Sequence, residues 1–173
     1  LGLVADHIRV PREYEMAVEA VLGEKLQYVV VKEQEDGVRA IDYLKQASLG
    51  RGSFVPLGVR PHISGASLAE HEHLREAAPL IDRITVQDDC RAIVNELLGD
   101  VLLIPNLMKG ISLWQQNGFC GTFVTPDGDI ISPSGILTGG SGAGNDRSLL
   151  RNRREISELA KEIEGLQADL DEE

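Results

Sequence analysis

The glycine-rich segment at residues 139–144 has the composition of a phosphate-binding loop. Its sequence is GGSGAG. A phosphate loop needs a lysine and then a Ser or Thr after its last glycine, because the lysine contacts the phosphates and the hydroxyl binds Mg²⁺. The residues that follow are Asn145 and Asp146 instead. We therefore expect no phosphate site here, and we predict a flexible linker over residues 141–145.

The other side chains that could do chemistry lack the partners that chemistry needs. His71 and His73 would point to different sides of a helix, and no third ligand accompanies them. Cys90 and Cys120 have neither metal nor redox spacing, so we expect two unpaired thiols in a reducing cytosol. The sequence shows no general base that could activate Ser132, Ser134 or Ser141 as a nucleophile. The sequence thus predicts no catalytic residue, no metal and no cofactor.

Three glycines bracket two apolar residues directly after a predicted strand. The bracketed residues are Ile136 and Leu137, and the glycines are Gly135, Gly139 and Gly140. Glycine beside a strand allows another backbone to approach closely, because no Cβ stands in the way. An exposed strand edge of this kind can pair with a second chain. We predict that these five residues form an interface with a second chain.

A basic cluster follows the glycines. Four arginines lie within eight residues that contain no acidic residue: Arg147, Arg151, Arg153 and Arg154. Arginines at the start of a helix oppose its positive dipole end, which favours a phosphate-contacting role. The alternative is a solvated helix start in which Glu155 and Glu158 pair with arginines four residues earlier. The net charge of −11 argues against wholesale coating by nucleic acid but permits a local basic patch.

The C-terminal tail has the apolar spacing of a coiled coil. Its seam positions are spaced by seven, three, four, three and four residues: Leu149, Ile156, Leu159, Ile163, Leu166 and Leu170. Asn152 fills one intervening seam position. A helix packed on its own domain, the alternative, usually has a wider apolar stripe. Since three heptads are marginal alone, the pattern implies a partner segment elsewhere.

Helices and strands alternate through the part of the chain that must position these residues. Helices are predicted at residues 13–22, from residue 38 to before residue 50, at 88–98 and at 106–116, with a short one near 68–77. Strands are predicted at residues 26–31, 53–57, 83–86, 101–104, 122–125 and 129–132. Asp88 or Asp89 is expected to cap the third of these helices, and Asn106 the fourth. Asp127-Gly128 predicts a hairpin.

An internal similarity suggests two related subdomains. LGEKLQYVVVKEQEDGVRAIDYLKQASLGRGSFVPLG resembles LGDVLLIPNLMKGISLWQQNGFCGTFVTPDG, and both run glycine, strand, helix, strand. We predict an α+β fold of two pseudo-symmetric subdomains with small mixed sheets. The predicted globular part spans residues 1–147: subdomain I at about 1–60, a connection at about 61–82 and subdomain II at about 83–147. The start of the predicted coiled coil occupies residues 148–173.

The composition fits one domain of ordinary size. The 173 residues are 42% hydrophobic and only 4% aromatic, so we expect an aliphatic core. No apolar run approaches the length of a membrane helix. The chain begins at Leu1, not Met, and ends abruptly on acidic residues, which suggests a piece of a longer protein.

Three segments resemble the hinge of SMC proteins, the chromosome-structuring ATPases of the condensin and cohesin type. They are LGLVADHIRVPREYEMAVEAVLGEKLQYVVV, LLGDVLLIPNLMKGISLWQQNGFCGTFVTPDG and DGDIISPSGILTGGS, the last followed by basic residues and heptads. The resemblance covers about residues 1–154 and fits the bacterial homodimeric form best. One departure is Ser134-Gly135, where such hinges often carry a double glycine.

The resemblance implies a dimerisation hinge in the middle of a long chain. Two hinges would form a ring-shaped homodimer in which a sheet of one protomer is extended by the other. The tail would pair with the protein's own N-terminal-side arm, and both arms would lead to absent head domains that bind ATP and Mg²⁺. The arginine cluster would contact DNA non-specifically. The resemblance further implies chromosome segregation and condensation in the cytoplasm, at the nucleoid, with no membrane.

Two other functional classes remain open on the sequence. One is a small-molecule-binding α/β domain or enzyme with a regulatory helix, which ligand-dependent melting without a dimer would favour. The other is a coiled-coil scaffold whose globular part is a spacer. A monomeric globular part and a self-associating tail would favour it.

Overall fold

The computed structural model describes residues 2–58, 77–116, 121–140 and 149–171, with side chains to residue 167. The chain forms two compact units, Leu1–Gly140 and Ser141–Glu173. The helix predicted near residues 68–77 lies largely outside the described residues, as do Arg147 and most of the glycine-rich linker. The assignment of hinge and arm to these segments stays a prediction.

The first half of the larger unit contains two helices and three short strands. They are β1 (Ile8–Arg9), α1 (Glu15–Leu22), β2 (Val29–Val31), α2 (Gln34–Gln46) and β3 (Phe54–Pro56). Short 3-10 segments precede α1 and β2, at Arg12–Tyr14 and Gly23–Gln27. α1 and β2 therefore begin at Glu15 and Val29, later than the predicted residues 13 and 26, because the preceding residues form 3-10 turns.

The second half repeats this order and adds a hairpin. Its elements are β4 (Ala78–Pro79), β5 (Thr85–Val86), α3 (Arg91–Leu98), β6 (Val101–Leu103), α4 (Leu107–Gln116), β7 (Thr122–Val124), β8 (Ile130–Ile131) and β9 (Leu137–Thr138). The predicted pseudo-symmetric α+β fold is confirmed. In each half a strand, a helix and a second, parallel strand follow one another.

Two helix caps were predicted, and the structure confirms one of them. The amide of Lys109 donates to Asn106 Oδ1 at 2.9 Å, so Asn106 caps α4 as expected. The predicted cap of α3 by Asp88 or Asp89 is wrong. Both aspartates lie in the 3-10 segment Asp88–Cys90, and Cys90 precedes the helix without a side-chain cap.

The sheets of the two halves share a central pair of parallel strands but differ in how many strands lie beyond that pair. β2 has an antiparallel bridge to Leu3 on one side and parallel β3 on the other. β6 likewise lies between antiparallel β4 and parallel β7. In the second half the sheet continues through β8 to β9, in the order β4-β6-β7-β8-β9. Among the described residues, β3 has no neighbour beyond β2.

The β7–β8 hairpin turns at Asp127-Gly128, as predicted. Thr125 N–H donates to the carbonyl of Asp129 at 2.9 Å, and Gly128 has a φ of +86°. A Cβ at Gly128 would lie 3.1 Å from the carbonyl oxygen of Met16 and 3.3 Å from Ala20 Cβ. The turn thus packs directly on α1, which couples the second half to the first.

The two halves share a core. One cluster joins Val4 and Val30 of the first half to Cys90 and Ile93 of the second. β1 and β5 pair antiparallel across the halves. A further cluster fills the space between α4 and the five-stranded sheet: Leu102, Ile104, Leu113, Phe123 and Ile131. The subdomains are therefore one folded body.

Candidate dimer interface and basic helix start

The candidate interface is the outer edge of the five-stranded sheet. β9 pairs with β8 through Ile131↔Leu137 and Ile130↔Thr138, and it is the last strand of that sheet among the described residues. Ile136 is 64% exposed and Leu137 is 54% exposed. Two adjacent apolar side chains beside an open strand edge form a surface that water solvates poorly, and such edges pair readily with another chain.

A tight loop fixes the approach to β9. Gly135 N–H donates to the carbonyl of Ser132 at 2.9 Å, and Ile136 N–H donates to Ser132 Oγ at 3.0 Å. The Ser132 amide donates to the carbonyl of Ile136 at 2.9 Å. Ser134 Oγ lies 2.9 Å from Ser132 Oγ. Backbone and side-chain bonds together hold Ile136 in a defined position.

Gly135 is glycine because of a tryptophan in its own chain. A Cβ at Gly135 would lie 2.7 Å from Trp114 Cζ2, and the φ of +83° also disfavours a side chain. Trp114 Nε1 donates to the carbonyl of Pro133 at 3.1 Å. This intrachain contact accounts for the glycine, and the predicted approach of a second chain at Gly135 stays a prediction.

Asp129 holds the end of β9. Gly140 N–H donates to Asp129 Oδ1 at 3.2 Å, and a Cβ at Gly139 would overlap that same carboxylate. Gly140 has a φ of +117°, which non-glycine residues rarely adopt, but open space surrounds its Cα. Both glycines are exposed. Steric limits inside the chain thus explain Gly139, and backbone conformation explains Gly140.

The first half presents a second open surface. β3 has a free edge among the described residues, and Val38 and Ile41 of α2 are 55% and 40% exposed. In the second half, α4 packs against β8 and Ile111 contacts the core there. The first half has no described strand at that place, so its helix keeps apolar side chains in water. The sequence indicated β9 as a candidate interface, but it did not indicate the open surface of β3 and α2.

The described residues of the smaller unit form a single helix, α5 (Leu149–Asp171). Four predicted seam side chains are exposed on it: Ile156, Leu159, Ile163 and Leu166. Leu149 is half-buried, and the side chain of Leu170 lies outside the described residues. The predicted seam is therefore continuous along one helix, while its pairing with a partner stays a prediction.

Two of the predicted DNA-contacting arginines make ion pairs along α5. Arg151 Nε lies 2.9 Å from Glu155 Oε1, and Arg154 Nη1 lies 3.2 Å from Glu158 Oε1. These are the i,i+4 pairs expected if the cluster is only the solvated start of a helix, the alternative to DNA contact. Exposed pairs of this kind contribute little stability, so a phosphate could displace the glutamates at small cost.

Comparison with known proteins identifies the family. The family model "SMC proteins Flexible Hinge Domain" matches residues 1–114. The chain is 36% identical over 162 residues to the chromosome partition protein Smc of Myxococcus xanthus. The match covers 94% of this chain and 14% of that protein. The Smc of Bacillus subtilis is 33% identical over 165 residues, with the same coverage of 94% and 14%. The chain thus spans about one seventh of these relatives.

Solved hinge structures have the same fold. The SMC hinge domain of Geobacillus stearothermophilus, solved as an asymmetric dimer, has a TM-score of 0.80 and 31% identity, and the match covers 98% of this chain and 69% of that one. The Pyrococcus furiosus Smc hinge with an extended coiled coil has a TM-score of 0.68 and 28% identity, covering 98% and 62%. No helix in the described part of the chain is long and apolar enough to cross a bilayer. The chain belongs to the family of SMC hinge domains.

Proposed function

We propose that this chain is the homodimerisation hinge of a chromosome-partition SMC protein. The observation that carries the proposal is the pair of open surfaces on one protomer, the β9 edge and the β3–α2 face. The names of the relatives support a role in chromosome partition, and the Geobacillus stearothermophilus hinge was solved as a dimer.

In the proposed dimer, β9 of one protomer pairs with β3 of the other. The first half ends at β3 where the second half continues to β8 and β9, so a second copy supplies the strands that the first half lacks. Ile136 and Leu137 would cover the exposed Val38 and Ile41 of the partner. Because the two surfaces differ and lie on the same chain, a twofold axis generates this contact twice and closes the assembly as a ring.

The test replaces one exposed interface residue by a charged one. Leu137→Lys removes the burial of a leucine, worth about 1.5–3 kcal/mol, at both contacts. The dimer should therefore weaken by about 3–6 kcal/mol, or roughly 10²- to 10⁴-fold in Kd. Since Leu137 is exposed in the protomer, the variant should remain folded by circular dichroism.

Light scattering at micromolar concentration measures the outcome. We expect twice the protomer mass for the unmodified chain and for Met16→Lys, the matched control on an exposed apolar residue of α1. We expect a single protomer mass for Leu137→Lys. An unchanged dimer in Leu137→Lys would place the interface elsewhere. A monomeric unmodified chain would contradict the hinge function and favour the small-molecule-binding class.

The seam of α5 is proposed to pair with the arm that enters the hinge from its N-terminal side. Its exposed apolar residues follow heptad spacing, and such a seam gains stability only against a second helix. Removing residues 149–173 should leave the dimer intact, because the proposed surfaces lie within Leu1–Gly140. Loss of the dimer on this truncation would favour the coiled-coil scaffold instead.

Non-specific DNA contact is proposed for the arginine cluster at the start of α5, including Arg147. Anisotropy with a random duplex at several salt concentrations tests it. Replacing Arg151, Arg153 and Arg154 by Gln should reduce the salt dependence of log K by up to about 2.7, since each phosphate contact contributes about 0.9. Lys161→Gln, on the same helix, should leave the slope unchanged. An unchanged slope in the triple variant would refute the role.

The remaining expectations concern the longer protein. We propose that ATP and Mg²⁺ are handled by head domains outside this chain and that the hinge itself performs no catalysis. The chain would act in the cytoplasm at the nucleoid. An ATPase assay on the isolated chain should give only background rates, and turnover there would overturn this assignment.

A further inference from the structure

Three potential metal ligands converge where the two halves of the hinge meet. One nitrogen of His7, one carboxylate oxygen of Asp89 and Sγ of Cys90 all lie within 4.8 Å of one another. The first of these residues belongs to the first half and the other two to the second. This cluster could not be predicted from the sequence, because more than eighty positions separate His7 from Asp89 and Cys90.

The fold fixes the three residues relative to one another. His7 directly precedes β1, which pairs with β5 through Ile8↔Val86. The amide of Gln87 donates to the carbonyl of His7 at 3.0 Å, and His7 Nδ1 lies 2.7 Å from Gln87 Oε1. Metal-binding imidazoles usually have a hydrogen-bond partner that holds the ring in this way. Backbone pairing and side-chain contact therefore position the imidazole opposite the 3-10 segment Asp88–Cys90.

We propose that His7, Asp89 and Cys90 bind a zinc ion that joins the two halves of the hinge. Thiolate, imidazole and carboxylate are the ligands that Zn²⁺ takes in proteins, and three of them with a water complete a tetrahedron. Zinc–ligand distances of about 2.0–2.3 Å place tetrahedral ligands about 3.3–3.8 Å apart, so zinc would draw together three atoms that already lie within 4.8 Å of one another.

The surroundings also suit a cation. Cys90 is 1% exposed and His7 is 9% exposed, whereas Asp89 is open to solvent and provides a path of entry. A thiolate beside a carboxylate is unfavourable in an apolar site unless a cation lies between them, and Zn²⁺ would take that place.

Zinc at this place would tie β1 to the start of α3. The contact would be independent of the dimer surfaces, because it involves neither β9 nor β3. A metal that binds the folded chain but not the unfolded one stabilises the fold by mass action. We expect the urea midpoint of the metal-free chain to rise when equimolar zinc is added.

Cobalt(II) is the direct probe of the ligands. The chain, stripped with a chelator, is titrated with Co²⁺ and then with Zn²⁺. We expect one metal per chain, a thiolate-to-cobalt charge-transfer band in the near ultraviolet, and loss of that band when Zn²⁺ displaces Co²⁺. Absence of the band together with no zinc retained at equimolar concentration would overturn the proposal.

Variants assign the ligands. Cys90→Ala should abolish the charge-transfer band, while His7→Gln and Asp89→Asn should each weaken binding by at least tenfold. Should Cys90→Ala fail to fold by circular dichroism, the two polar variants carry the test alone. Cys120→Ser and the double variant His71→Gln with His73→Gln are controls and should bind as the unmodified chain does. Undiminished binding in His7→Gln and Asp89→Asn, or its loss in either control, would refute the site.

Discussion

Two glycines at matching places in the pseudo-repeat should respond oppositely to alanine. Gly37 and Gly110 are each the fourth residue of their helices, α2 and α4. A Cβ at Gly110 would overlap Ile104 Cδ1 and lie 2.6 Å from Ile131 Cδ1. A Cβ at Gly37 would meet only Phe54 Cβ, at an ordinary 3.4 Å. The difference arises because α4 packs closely on both Ile104, which follows β6, and Ile131 of β8, whereas a Cβ at Gly37 meets only the side chain of Phe54.

The magnitudes follow from two opposing effects. Alanine in a helix interior is favoured over glycine by about 1 kcal/mol. Forcing a methyl group into a filled core costs about 1–3 kcal/mol, and both isoleucines are almost fully buried. We expect Gly37→Ala to raise the free energy of unfolding by up to about 1 kcal/mol. Since two core methyl groups must move, we expect Gly110→Ala to lower it by about 1–2 kcal/mol.

Urea unfolding followed by circular dichroism measures both variants, at one protein concentration because a dimer's stability depends on it. Ile104→Val, which removes the nearer of the two clashing Cδ1 atoms, should cost about 0.5–1.5 kcal/mol alone. In the Gly110→Ala background it should cost nothing or restore stability, a coupling of about 1 kcal/mol or more. Equal stability of Gly37→Ala and Gly110→Ala would refute the packing argument.

Three further contacts are tested by substitution, and urea unfolding measures the stability of each variant. Asn106→Ala should cost about 1 kcal/mol by removing the cap of α4, whereas Asp88→Ala, which removes no cap, should stay within about 0.5 kcal/mol. Trp114→Phe keeps an aromatic ring but loses one hydrogen bond, so we expect a loss of about 0.5–1.5 kcal/mol. Asp129→Ala removes the acceptor of the Gly140 amide. We expect the free energy of dimerisation, measured by light scattering, to change more than the free energy of unfolding. A larger change in the free energy of unfolding would refute the role of Asp129 at the β9 edge.

Local chemistry explains which elements the sequence could predict. The cap at Asn106 and the turn at Asp127-Gly128 depend on residues within four positions, so their signals are complete in the sequence. The apolar periodicity likewise predicted the five α-helices of the described residues, because residues buried on one helix face recur at a regular spacing. β9 has only two residues and exists through its pairing with β8, so its bounds depended on contacts that periodicity does not record.

The reasons behind the candidate site were harder to predict than its location. The glycines around β9 indicated where the candidate interface lies. Their contacts with Trp114 and Asp129 depend on how the loop before β9 folds back, which the sequence does not show. The ligand cluster at His7 and Cys90 depends on the pairing of β1 with β5 across the halves. Neither set of contacts occurs at a fixed spacing in the sequence, so only the tertiary structure could reveal them.

The position of Trp114 gives the hinge an optical probe of its own assembly. It is the only tryptophan of the chain, it is partly exposed, and its indole rests against the loop that leads into β9. Any chain that covers that loop changes the polarity around the ring and hence its emission wavelength. Association and exchange of subunits can therefore be followed by intrinsic fluorescence in real time, without a dye or a tag.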